Sequence, residues 1–143
     1  MEFTPAPLYF LDAAFGQRAH QWPALLERVL LSVNYLALNQ LLRQGPLSDI
    51  FRQAQVALPQ QVARVYGATH RFRLTPAIQA YCRAMQYLDW PANDFEDPAF
   101  YCNGQLVLGT ISHEDYVVLW LSEAEKEALN QQGYDFWCRW QQG

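Results

Sequence analysis

Charge is scarce in this chain. Of its 143 residues only 17% are Asp, Glu, Lys or Arg. The surface must therefore lean on Gln, Asn and Ser, with some aromatic area left exposed. Cysteine is sparse as well: Cys82, Cys102 and Cys138 lie far apart and include no C-x-x-C. An odd, dispersed set argues against a disulfide framework and against a zinc ribbon. Free thiols fit a reducing compartment. The first residues, MEFTPAPLYFLDAAFG, lack a basic n-region and carry Glu2 and Asp12, so they do not read as a secretory signal. Apolar runs are broken by Asn34, Asn39 and charges before they reach the length of a membrane span. No G-x-G-x-x-G or Walker pattern occurs, so no nucleotide cofactor, and no cofactor of any kind, is expected. These absences describe a soluble, cytoplasmic protein without a membrane partner.

What the chain does hold is core material. It is 51% hydrophobic and 15% aromatic, with five Trp, eight Tyr and eight Phe. The length suits one domain spanning residues 1–143. The few charges are unevenly spread. Residues 1–88 hold eight Arg against four acids, a balance of +4. Residues 89–143 hold ten acids against Lys126 and Arg139, a balance of −8, and together these recover the net −4. Such polarity concerns long-range fields and partners rather than fold. An acidic part repels phosphates, which excludes nucleic acid there and suits a basic protein partner.

Periodicity orders the elements. Trp22 to Gly45 reads as one long helix, with Pro23 at its start, Gly45 at its stop and Leu26, Val29, Leu30, Val33, Leu36 and Leu41 on one face. A second helix is expected over Leu47–Leu58 and a short third over Gln60–Tyr66. Thr75-Pro76 caps a fourth, Ala77–Leu88, whose stripe is Ile78, Tyr81, Cys82, Met85 and Leu88. DWPANDFEDP, from Asp89, reads as an acidic connector within the domain. Asn103-Gly104 signals a hairpin between Ala99–Cys102 and Gln105–Ile111. Ser112–Asp115 makes a second turn, and Tyr116–Leu121 returns as a strand covered on both faces at the sheet centre. Ser122 to Glu125 is a capping box opening a helix to about Gln132. Tyr134, Phe136 and Trp140 read as a last strand or ordered tail. The fold class is then α+β, with N-terminal helices packed on a small C-terminal antiparallel sheet and one further helix.

Four groups of residues invite a chemical reading. His113-Glu114-Asp115 combines an imidazole with two carboxylates, as metal and acid–base sites do. Adjacent residues in a turn point apart, however, unlike the shared face of H-E-x-x-H, so a solvated turn is the preferred reading and no metal is expected. Cys82 sits on a helical apolar stripe and Cys102 beside a turn, without a thiol-enzyme signature. Arg64, His70, Arg71, Arg73 and Arg83, with Tyr66 and Phe72 interleaved, could hold phosphate or single strands, but pairing with acids of the same domain is the better account. Finally Asp94, Glu96, Asp97, Glu114, Asp115, Glu123, Glu125 and Glu127 keep company with Trp90, Phe95, Phe100, Tyr101 and Tyr116. Rings supply anchors and charges steer association, so this band suits protein binding. The partner-binding set is Trp90, Asp94, Phe95, Glu96, Asp97, His113, Glu114 and Asp115.

The stretch EDPAFYCNGQLVLGTISHEDYVVLWLSEAEKEALNQQGYDF resembles the C-terminal parts of small bacterial immunity proteins of polymorphic toxin systems. The likeness is carried by D-P-x-F-Y, the N-G hairpin, T-I-S-H-E, the apolar strand and the acidic capped helix. It covers under a third of the chain and transfers no catalytic residue. It implies a non-enzymatic protein that binds and inhibits a cognate toxin, a basic domain acting in the cytoplasm. A small enzyme or metal-binding protein with a His/carboxylate site around His113 is the alternative, and a homo-oligomeric scaffold is a third reading.

Overall fold

The computed structural model describes residues 6–41, 46–57 and 68–140. Its elements run β1 (Leu8–Asp12), α1 (Trp22–Leu30), β2 (Tyr35–Gln40), α2 (Asp49–Ala54), β3 (Gln55–Val56), β4 (Ala68–Arg73), α3 (Pro76–Ala84), β5 (Phe95–Cys102), β6 (Gln105–Ile111), β7 (Tyr116–Leu121), α4 (Glu123–Gln131) and β8 (Cys138–Arg139). Among the described residues eight strands form one antiparallel sheet in the order β3-β4-β2-β5-β6-β7-β1-β8.

Side chains alternate across a strand, so register decides what each face presents. One transverse row runs Phe72, Leu36, Phe100, Leu108, Leu119 and Phe10 across six strands. Every member is at most 1% exposed. The four helices add Leu25, Leu26 and Val29 from α1, Phe51 from α2, Ile78 and Cys82 from α3 and Leu129 from α4 to the same core. The next row, on the other face, is Arg71, Ala37, Ala99, Gly109, Val118 and Leu11.

The class is mixed α and β as expected, but its arrangement is different. The sheet is large and draws strands from the whole chain, rather than being a small C-terminal platform under N-terminal helices. The principal correction is the expected Trp22–Gly45 helix. It stops at Leu30, and Tyr35–Gln40 becomes an interior strand between β4 and β5. Asn34 makes the break. Its N–H donates to Tyr101 O at 2.8 Å, its carbonyl accepts from Leu74 N at 2.9 Å, and its amide bonds Asn103 in both directions. The three-and-four spacing of Val33 and Leu36 concealed a period of two, with Leu36 and Leu38 inward and Tyr35 and Ala37 outward.

The second expected helix survives only as Asp49–Ala54 before β3. The third, Gln60–Tyr66, lies outside the described residues. α3 begins at the expected cap, with Thr75 Oγ1 accepting from Ile78 N at 3.2 Å, but ends at Ala84. The connector at Asp89–Pro98 is half strand, because β5 starts at Phe95. β1 and β4 were not anticipated as strands. The local signals of the last third hold. Asn103 takes φ 53° in the hairpin turn, and Ser122 and Glu125 complete both bonds of the capping box. β7 lies between β6 and β1, with Val117, Val118 and Leu119 buried from both faces. Among the described residues no helix is long and apolar enough to cross a membrane.

Candidate docking surface

Three aspartates take a left-handed backbone: Asp94 at φ 73°, Asp97 at φ 54° and Asp115 at φ 58°. Aspartate tolerates this region better than most L residues. Each marks a change of direction. Asp94 ends the 3-10 turn Pro91–Asn93. Asp97 sits where the β2–β5 register shifts, giving β5 an extra residue. Asp115 closes the 3-10 turn Ser112–Glu114.

Asp97 also joins the two acidic segments. Its N–H donates to Ser112 Oγ at 3.0 Å, and its Oδ1 accepts from Ser112 N at 2.7 Å. Its Oδ2 accepts from Asn39 Nδ2 at 3.0 Å, and Asn39 Oδ1 accepts from Thr69 Oγ1 at 2.8 Å. Asp94, Glu96 and Asp97 are thereby held at the same end of the sheet as His113, Glu114 and Asp115. The first three are half-buried and the last three exposed.

The other acids of the band do not join them. Glu123, Glu125 and Glu127 follow the far end of β7. Glu125 pairs with Arg28 at 2.9 Å, and Glu123 and Glu127 with Lys126 at 3.0 and 3.3 Å. Trp90 and Phe95 require a second correction. They are 1% and 6% exposed and belong to the core, not to a surface of anchors. Phe95 N donates to Trp90 O at 3.1 Å, so the two rings pin the base of the Pro91–Asp94 turn. Trp90 packs near Tyr81, and Phe95 near Phe51.

Spacing did not reveal the apolar contribution to this end. Leu88, read as part of a buried helical stripe, lies beyond the end of α3 and is 66% exposed. With Ala13, Ala14, Glu114 and Asp115 it borders a concavity of about 440 Å³. Gly16 lies close beneath it: a Cβ there would stand 2.8 Å from the Asp115 carboxylate carbon, so the carboxylate would have to turn away. Phe15 N donates to Asp115 O at 3.0 Å, which fixes the turn against this segment. Below the rim Asp12 is fully buried and receives Arg18 Nε at 2.9 Å and Nη2 at 2.7 Å. The Asp12 carboxylate raises the pKa of Arg18 through this fork. The Tyr87 hydroxyl is buried nearby and pushed well above the usual phenol range, first by desolvation and then by Asp115, Asp12 and Asp97.

His113 Nε2 lies 3.8 Å from Glu114 Oε1 with both side chains in solvent. Among the described residues no group of three or more His, Cys, Asp or Glu is arranged to hold a metal ion. Arg71 lies 4.1 Å above Tyr35 and 5.8 Å from Tyr101, and donates to Asn103 O at 2.7 Å. Arg83 pairs with Glu27 at 2.6 Å. Arg73 is exposed, and Arg64 and Tyr66 lie outside the described residues. His70 is held between Gln55 and Gln40 at 3.0 Å each, and burial lowers its pKa toward the neutral ring. Cys82 is a core thiol pushed up to about 12 by burial, whereas Cys102 is half-exposed and Cys138 exposed. Comparison with protein families, characterised proteins and solved structures finds no match to this chain.

Proposed function

We propose that this chain is a protein-binding module of the immunity type, which docks a basic toxin domain on its acidic rim and blocks it. The observation that carries the reading is the Asp97–Ser112 bridge, which brings two acidic segments together beside exposed Leu88. Carboxylates steer a basic partner, and an adjacent apolar side chain offers area to bury on contact. The free thiols of Cys82, Cys102 and Cys138 support a cytoplasmic site of action. The roles differ from those expected of the eight partner-binding residues. Asp94, Glu96, His113, Glu114 and Asp115 form the rim, Asp97 holds it together, and Trp90 and Phe95 support it from the core.

The test is kinetic and uses the partner that co-purifies from the native host. Glu114→Lys should slow association about tenfold at low salt and flatten its dependence on ionic strength, because steering charges act on the on-rate. Leu88→Ala should chiefly speed dissociation. Unchanged association in Glu114→Lys, with the fold intact by thermal melt, overturns the reading.

A further inference from the structure

The rim contains a second, narrower cavity. It has a volume of about 240 Å³, and its lining includes Phe51, Tyr81, Phe95, Gln40, Asn93, Asp94 and Ser48. Cavities that hold drug-sized ligands run roughly 300–1,000 Å³, so this one suits a single side chain. Its aromatic part is rigid. Phe51 meets Tyr81 edge to face at 4.9 Å and lies tilted against Phe95 at 5.2 Å. The carboxylate is placed by backbone. Asp94 N donates to Pro91 O, and Asp94 O accepts from Leu41 N, both at 3.1 Å. No cation among the described residues pairs with the Asp94 side chain, although Arg18, Arg28, Arg52 and Arg83 all find acids elsewhere.

We infer that this cavity receives an arginine side chain of the protein partner. The inference rests on the docking reading above and names the contact within it. A guanidinium is planar, stacks on aromatic rings and bonds a carboxylate through its fork. Its alkyl stem suits the aromatic lining, while Asn93 and Ser48 supply oxygens for the remaining N–H donors. A lone carboxylate at the cavity repels an anion. Because rings and carboxylate are held before the ligand arrives, little ordering opposes binding.

The probe is the peptide acetyl-Gly-Arg-Gly-amide, titrated into the full chain and followed by amide chemical shifts. Its control carries citrulline, which keeps the shape and loses the charge. Saturable shifts should appear at Asn93, Asp94 and Phe95. The citrulline peptide should bind about tenfold or more weakly, as should the arginine peptide with Asp94→Asn, since a charge-assisted bond is lost in each case. Asparagine tolerates the left-handed backbone at this position, so the variant should melt at the wild-type temperature. Absent saturation overturns the inference, as do equal affinities for the two peptides or an unaffected Asp94→Asn. Glu114→Lys separates the two proposals. If it slows partner association while the peptide fails, only the arginine pocket is wrong. If association is unchanged, the docking reading fails whatever the peptide does.

Discussion

The two faces of the sheet share strands and hydrogen bonds yet are built on opposite principles. On the helix side, Phe72, Leu36, Phe100, Leu108, Leu119 and Phe10 make an unbroken apolar row. On the other side the adjacent row holds Ala37, Ala99 and Gly109 at its middle, with Arg71 at one end and Val118 and Leu11 at the other. Leu106 reaches over Gly109, where a Cβ would stand 3.4 Å from its methyl, and Arg71 lies on Tyr35. One face is covered by helices. The other is closed by its own side chains, and one residue of register separates the two.

The largest effect should come from the covered face. Phe100→Ala leaves a void with little chance of collapse, and should cost about 3–5 kcal/mol in urea unfolding. An equal loss from a small substitution at Ala99 would erase the contrast between the faces. The alkaline limb of stability should follow the same division. Cys82 and Tyr87, on the covered side, have folded pKa values raised above their unfolded ones, that of Cys82 to about 12, so the folded state retains protons that the unfolded state releases. Their contribution is complete below the unfolded values. That of Cys82 falls as pH rises from about 9 toward 12, by about 1.4 kcal/mol per pH unit, and that of Tyr87 begins to fall only above about 10. Replacing Cys82 with Ala should flatten that slope in pH-dependent unfolding.

A smaller effect belongs to the face without helices. Arg71→Ala removes the stack on Tyr35 and the bond to Asn103 O, and should cost about 1–2 kcal/mol. Lysine should not restore it, because the planar fork is lost. The smallest change in stability should be that of Glu114→Lys, within about 0.5 kcal/mol by thermal melt, since Glu114 is exposed in a turn. Its expected effect lies in association rate alone.

Short-range signals were legible because their physics is short-range. Thr75-Pro76 satisfies an N–H three residues on, Asn103-Gly104 needs only its own backbone, and Ser122 and Glu125 cap each other. The turn at Ser112–Asp115 was legible for the same reason, and composition alone showed that the connector before it is acidic. β2 could not, because the spacing of its apolar residues also fits a helix. Its strand state is decided by pairing with β4 and β5, both distant in sequence. β4 was hidden similarly: a basic tract became a strand with Phe72 inward and Arg71 outward.

By itself, then, the sequence determined an abundant core, an acidic second half, and the turns and caps of the last third. Tertiary structure alone decided which side chains of the acidic end meet solvent. Trp90 and Phe95 went inward because a core stood beneath their turn, and Leu88 stayed out because α3 ended before reaching it. Asp97 became a bridge only when a bulge in β5 brought it to Ser112. Burial and register depend on what packs from elsewhere in the chain, and no local pattern of residues carries that information.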